Sequence, residues 1–255
     1  MRVLMVGDVV GKPGRRAVRA LVPALRQELG LDLVIANGEN AAGGYGITPA
    51  TTQELLESGV DVLTSGNHIW DQKEIIPCLD QEVPLLRPLN YPPGTPGRGF
   101  LRLGDVLIIN LMGRVFMQPL EHPFRAVDQF LQGLAERPPV IIVDFHAEAT
   151  SEKQAMGWYL DGRASAVLGT HIHVPTADAR ILPGGTAFVT DVGMVGPRDS
   201  VIGDTVESVL ERFLTLRPNR LQVAEGPVRF CAVLIDVDRA SGRALAIERV
   251  DRELE

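Results

Sequence analysis

The sequence predicts an α/β protein, a four-layer α-β-β-α sandwich around two mixed β-sheets, from three features of its 255 residues. Strand-like and helix-like segments alternate through the first quarter, the signature of parallel β-α-β units. In the second half, paired apolar runs joined by Gly- and Pro-containing turns add antiparallel hairpins, which an open, purely parallel sheet would not accommodate. The composition is 45% hydrophobic, ample for a sizeable core, and no repeat, low-complexity tract or interdomain linker divides the chain. Residues 1–255 are therefore expected to form one domain.

Residues 2–7 read as a buried strand, and Gly11-Lys12-Pro13-Gly14 leads into a helix from Arg15 to Leu29 with Val18, Leu21, Val22, Leu25 and Leu29 on one face. Leu33–Ala36 is a second strand. Thr48-Pro49 opens a helix through Leu56 that Gly59 ends, and Val60–Thr64 is a third strand. The Pro- and Gly-rich stretch 84–99 reads as a long surface loop. Phe100–Leu103 and Val106–Ile109 form a hairpin about Gly104-Asp105. Helices are expected at Phe124–Leu134, Glu152–Leu160 and Thr205–Leu216, and strands at Val140–Phe145 and Ala166–Gly169. Two further hairpins join Arg180–Leu182 to Thr186–Val189 and Val228–Val237 to Ala244–Val250.

A formal charge of -7 argues against a surface that grips a long nucleic-acid backbone, though not against a small phosphate substrate held by metal. Cys78 and Cys231 are too few for a disulfide framework and have no Cys or His at metal-ligand spacing; both read as packing residues, which points to a reducing cytoplasm. With neither a signal-peptide pattern nor an apolar run of ~18 residues, a membrane protein is not expected.

The chemically unusual residues follow apolar runs, where a strand opens into a loop. Asp8 follows Val3-Leu4-Met5-Val6; Glu39 and Asn40 follow Leu33-Val34-Ile35-Ala36; Asn67 and His68 follow Val62-Leu63; His146 follows Val140-Ile141-Ile142-Val143; His171 and His173 follow Ala166-Val167-Leu168. In an extended segment, the i, i+2 spacing of His171 and His173 directs both imidazoles to one face. Carboxylate, amide and imidazole together suit borderline ions such as Fe, Mn or Zn. Gly7–Pro13 is one residue short of a P-loop and places Pro13 where the hydroxyl residue belongs, so a nucleotide P-loop is rejected. A dinucleotide fold is disfavoured because no Gly-x-Gly-x-x-Gly follows the first strand.

Gly7-Asp8, Gly38-Glu39-Asn40, Gly66-Asn67-His68, the isolated His146 and Gly169-Thr170-His171-Ile172-His173 resemble, in order, the five blocks of the calcineurin-like metallophosphoesterases. The YmdB-type branch, similar to cyclic-nucleotide phosphodiesterases, is the nearest match, supported also by Asp144-Phe145-His146-Ala147-Glu148-Ala149-Thr150-Ser151-Glu152. Two departures stand out: Asp8-Val9-Val10 replaces Asp-x-His, and Glu39-Asn40 replaces Gly-Asp. The resemblance implies two divalent or mixed-valence ions per chain, iron or manganese foremost and zinc as an alternative. Asp8, Glu39, Asn40 and His173 would hold one; Glu39, Asn67, His146 and His171 would hold the other, with Glu39 bridging and Asn40 replacing the missing His. It further implies in-line attack on phosphorus by a hydroxide held between the ions, with His68 as general acid. The implied substrate is a small phosphodiester, a 2′,3′- or 3′,5′-cyclic nucleotide.

A phosphomonoesterase with the same metal chemistry, and a regulatory metal-binding protein acting through a protein or RNA-processing partner, stand as alternatives. A homo-oligomer is compatible with the sequence. Glu148, Thr150 and Glu152 are candidates to orient the site or the adjoining helix, with Thr150 or Ser151 alternatively capping it. Arg114, Arg125 and Arg198 are weaker candidates to clamp phosphate, and His122 belongs to no block.

Overall fold

The computed structural model describes residues 1–255. The chain runs β1 (Arg2–Val6), β2 (Asp8–Val9), α1 (Gly11–Leu29), β3 (Leu33–Asn37), α2 (Pro49–Glu57), β4 (Val62–Thr64) and α3 (Ile76–Leu79). It continues with β5 (Phe100–Leu103), β6 (Val106–Met112), α4 (Pro123–Gln132), β7 (Val140–His146), α5 (Thr150–Tyr159) and β8 (Ala166–Thr170). The last third holds β9 (Arg180–Ile181), β10 (Ala187–Val189), β11 (Met194–Pro197), α6 (Val206–Thr215), β12 (Val228–Phe230), β13 (Ala232–Val237), β14 (Ala244–Arg249) and β15 (Arg252–Leu254). No helix is long and apolar enough to cross a membrane.

Two larger mixed sheets, ordered β14-β13-β1-β3-β4 and β5-β6-β7-β8-β10-β9, carry most of the strands. Alternation along each strand sends side chains to opposite faces. Val3 and Met5 join Ile35 and Ile235 from the first sheet and Ile108, Ile142 and Leu168 from the second in one apolar cluster between the sheets. Leu4 and Val6 turn outward onto Val18, Val22 and Leu25 of α1 and Leu55 of α2. Ile109, Val143 and Phe145 turn outward from the other sheet onto Val127 of α4 and Met156 of α5.

The structure adds a third, smaller sheet, β15-β12-β11-β2, to the two that were expected. It arises because two strands change sheets at the same level. Gly7 N–H donates to Cys231 O and Asp8 N–H to Gly193 O, so the chain leaves β1, beside β13, and enters β2, beside β11. The run Val228–Val237 likewise divides at Cys231 into β12 and β13, rather than forming one hairpin arm. Gly7 is required at this crossing, since a Cβ there would lie 1.9 Å from Gly193 O.

Other boundaries shift for local reasons. Helix α1 begins at Gly11, not Arg15, because Pro13 sits in the first turn, where its missing N–H has no helical partner to lose. Thr48 caps α2 with Pro49 at the first helical position, as expected, and Thr51 closes a reciprocal box with it where Glu or Gln is the usual partner. The stretch 84–99 is not surface loop throughout: Leu85 and Leu86 are buried, and bridges Leu63–Leu85 and Leu86–Arg98 lay this segment beside β4.

Strands β1, β3 and β4 are mutually parallel, as are β7 and β8. Their carboxyl ends release Asp8, Glu39–Asn40, Asn67–His68, His146 and His171–His173 onto one rim.

Candidate metal centre

Strand β7 ends on His146, which is fully buried. Its Nε2 lies 2.9 Å from Glu39 Oε1, 3.1 Å from Asn67 Oδ1 and 3.0 Å from His171 Nδ1. Candidate donor atoms of Glu39, His146 and His171 all fall within 4.8 Å of one another. Gly66 lets this packing occur, for a Cβ there would meet His146 Nε2 at 2.2 Å and Glu39 Oε2 at 2.5 Å.

The rings are oriented from behind. Thr170 Oγ1 donates to the buried carboxylate of Asp144 at 2.7 Å, so it accepts the Nδ1–H of His146 at 2.9 Å and leaves the Nε2 lone pair facing the cluster. Asp144 also receives Thr64 Oγ1 at 2.5 Å and Asn37 Nδ2 at 3.1 Å. His171 is oriented in the opposite sense: Nε2 meets Glu148 Oε2 at 3.0 Å, which frees Nδ1.

Asp8, Asn40 and His173 make a looser second group around the other side of Glu39. Asp8 Oδ2 accepts His171 N–H at 3.2 Å, but Oδ1 is buried without a hydrogen-bond partner, 4.0 Å from His173 Nε2. His173 donates Nδ1–H to Ile202 O at 2.7 Å, directing its Nε2 lone pair inward. Asn40 Nδ2 stands 3.0 Å from that nitrogen and 3.5 Å from Glu39 Oε1; rotating the amide would present Oδ1 instead.

The i, i+2 expectation for the two histidines fails in its reason, though both residues reach the site. Their segment is not extended: His171 and His173 have φ of 102° and 65°. Asp191 holds this unusual backbone, accepting Ile172 N–H on Oδ2 at 3.2 Å and Gly193 N–H on Oδ1 at 2.8 Å. Lys153 neutralises Asp191 across a 2.5 Å contact, both side chains being essentially inaccessible. Sequence reading assigned no role to Asp144 and Thr170, although both stand in the motifs that carry the resemblance as polar residues inside apolar runs, and the sequence carries no signal for the Lys153–Asp191 pair.

Burial opposes ionisation of Glu39, but the charges of His146 and His68 and their hydrogen bonds prevail and hold the carboxyl at about 2. Burial likewise opposes charging His146, yet Glu39, then Asp8 and Asp144, push that ring up to about 9. Burial raises Asp8 to about 7 against His173 and His146, while burial and neighbouring His146 press His171 down to about 3.

His68 joins the group from β4. Its N–H donates to Glu39 Oε2 at 3.1 Å, its Nδ1 meets Asp71 Oδ2 at 2.7 Å, and Nε2 has no protein partner. The Tyr45 ring stands edge-on to it, with centroids 5.2 Å apart.

The weaker sequence candidates fall elsewhere. Arg198 is engaged by Asp199 and Glu253, Arg114 and Arg125 are exposed, and His122 precedes α4 against Phe124. Neither Thr150 nor Ser151 caps α5, whose N-cap is Ala149. Glu152 instead ties down the Arg114 and Val115 amides, at 3.0 and 3.2 Å. Cys231 is buried, which pushes its thiol up to about 12, and Cys78 is half-buried; neither is disulfide-bonded.

A mixed α/β scaffold whose strand ends gather carboxylates, amides and imidazoles is of the metallohydrolase type. The family model described as YmdB-like protein matches residues 4–250, and the chain belongs to that family. A 2′,3′-cyclic-nucleotide 2′-phosphodiesterase of Bacillus subtilis strain 168 is 50% identical over 254 residues, 98% of this chain and 96% of that protein. The crystal structure of a hypothetical protein from Thermus thermophilus superposes with TM-score 0.94 at 51% identity, covering 99% of both chains. A crystal structure described as a novel phosphatase from Mycoplasma pneumoniae gives TM-score 0.93 at 33% identity, covering 99% of this chain and 93% of that one.

Proposed function

We propose that the chain is a dinuclear metal-dependent phosphodiesterase that opens 2′,3′-cyclic nucleotides. The observation carrying this reading is the convergence of candidate donor atoms: Glu39 Oε1, Asn67 Oδ1 and His171 Nδ1 all crowd within 3.1 Å of His146 Nε2, and the buried Asp8 Oδ1 beside them has no partner. An arrangement of lone pairs aimed at common points fits cations better than hydrogen bonds. The activity named for the Bacillus relative supports the choice of substrate.

Glu39, Asn67, His146 and His171 would hold one ion, and Asp8, Glu39, Asn40 and His173 the other. The oxygen and nitrogen donors suit Fe, Mn or Zn, without the thiolates of a structural zinc site. When bound, two such ions withdraw charge from a phosphoryl oxygen and make a nucleophile available at neutral pH. Against two divalent ions the set offers two carboxylates, so the site favours an anionic phosphate despite the acidic chain.

The net reaction adds one water: an oxygen joins phosphorus, the P–O2′ bond breaks, and the departing 2′-oxygen takes a proton. His68 is the group that would deliver it. Asp71 fixes the ring through Nδ1, and unpartnered Nε2 is the atom placed to hold that proton. Glu148 and Thr170 keep His171 and His146 in the tautomers that direct lone pairs inward.

On this reading residues 1–255 form one domain stacked helix, sheet, sheet, helix, a four-layer sandwich, and the protein works in the cytoplasm, in keeping with two free cysteines. The test offers chelator-stripped protein, reloaded with Mn or Fe, 2′,3′-cyclic, 3′,5′-cyclic and monoester substrates. Metal-dependent production of nucleoside 3′-phosphate is expected. Turnover confined to monoesters would replace the diesterase with a phosphatase, and failure on every ester would end the hydrolytic reading.

A further inference from the structure

A cavity of about 1360 Å³ adjoins the metal centre. Lys12 and Arg16 line it from α1, and Arg212 and Arg220 face it from α6 and the segment that follows. None of these four cations forms an ion pair, although Arg15 and Arg19 on the same α1 helix both pair with Glu54. Two carboxylates, Glu225 and Glu255, also line the cavity, and Asp204 lies behind its wall against the Tyr45 hydroxyl. The wall therefore keeps a positive excess in a chain whose net charge is -7.

Size and position narrow the ligand. Sites for a single small ligand usually hold ~300–1000 Å³, so this space exceeds the needs of one nucleotide. It also shares a wall with the reaction site. Tyr45 and Gln72 line it, the Gln72 amide donates to Tyr45 O at 2.8 Å, and the other side of Tyr45 is the His68 ring. The loop bearing Tyr45, between β3 and α2, also carries Glu39 and Asn40, two of the candidate ligands.

We propose that this cavity binds the nucleotides on the 5′ side of a terminal 2′,3′-cyclic phosphate, so that the favoured substrates are short oligoribonucleotides rather than free cyclic mononucleotides. The proposal rests on the phosphodiesterase reading. A 2′,3′-cyclic phosphate can only occupy the 3′ end of a strand, so any extension runs 5′ and brings one negative charge per linking phosphate. Four unpaired cations meet that charge, and the acidic remainder of the molecule limits the length of strand held. Strand cleavage by a neighbouring 2′-hydroxyl is the class of reaction that leaves such ends.

The test compares kcat/KM of the Mn-loaded protein for a cyclic mononucleotide and for a trinucleotide ending in the same cyclic nucleotide. In parallel, fluorescence anisotropy follows a 5′-labelled trinucleotide 3′-phosphate binding to the same protein. The trinucleotide should be preferred by about 10-fold, and two phosphate contacts should weaken its binding about 5–10-fold between ~50 and ~200 mM salt. An Arg16→Gln, Arg220→Gln double variant should lose that preference and leave the mononucleotide rate unchanged, while Glu225→Gln should increase it. Equal kcat/KM for the two substrates, or a preference intact in the double variant, would overturn the proposal. If neither substrate turns over, the hydrolase reading fails and anisotropy decides the cavity by itself: salt-sensitive binding lost in the double variant supports it, and binding indifferent to those arginines refutes it.

Discussion

Around His146 each ring is held from behind, His146 by Thr170 and Asp144 and His171 by Glu148; around Asp8 a buried carboxylate oxygen has no partner and Asn40 leans on His173. The first group is restrained by its own hydrogen bonds, and the second less fully. Preorganised donors lose less freedom on binding, so the His146 side should fill first and release its ion last. On the proposed reading Glu39 belongs to both groups and would couple them.

The largest effect should come from cutting that coupling. Glu39→Gln is expected to lose both ions and essentially all turnover in elemental analysis and phosphoester assays, whereas Asp8→Asn should lose one ion and spare the His146 side. A Glu39→Gln protein that kept one ion at full occupancy would separate the halves and remove the bridge.

His68→Ala should leave both halves filled while lowering turnover by ~10²–10⁴-fold, since only proton delivery is removed. Near-normal turnover would reduce His68 to a neighbour of the centre. Thr170→Val strips the restraint from His146 without touching a donor atom. Metal affinity on that side should fall by ~10–100-fold, with the Asp8 side little changed when competition with a chelator is followed. An equal loss at both positions would erase the proposed difference between them. His122→Ala should match the parent in metal content and rate, because His122 stands beside Phe124 and outside both groups.

The same contrast explains what could be read from sequence. Asp8, Glu39, Asn40, Asn67, His68, His146, His171 and His173 were legible because each follows an apolar run, and parallel strands must release their carboxyl ends on one side. Their braces were not. Thr170 and Asp144 lie within strands, where a polar residue looks like a break in pattern until its partner, dozens of residues away, is known. Lys153 on α5 reads as a solvated helix residue, yet it is buried against Asp191. The third sheet was hidden for related reasons: Cys231 redirects its strand without interrupting the apolar run Val228–Val237, so that run serves two sheets, and the β2 segment after Gly7 is only Asp8–Val9, too short to read as a strand. The basic cavity assembles Lys12 and Arg16 with Arg212 and Arg220 from the far end of the sequence, a pairing that only the fold makes.

The bridging centre is tested most directly by anomalous X-ray diffraction from crystals of the Mn-loaded protein. Two peaks are expected on either side of Glu39, one among Asn67, His146 and His171 and the other among Asp8, Asn40 and His173. A single peak at saturating metal, or two peaks of which one lacks Glu39, would contradict the account.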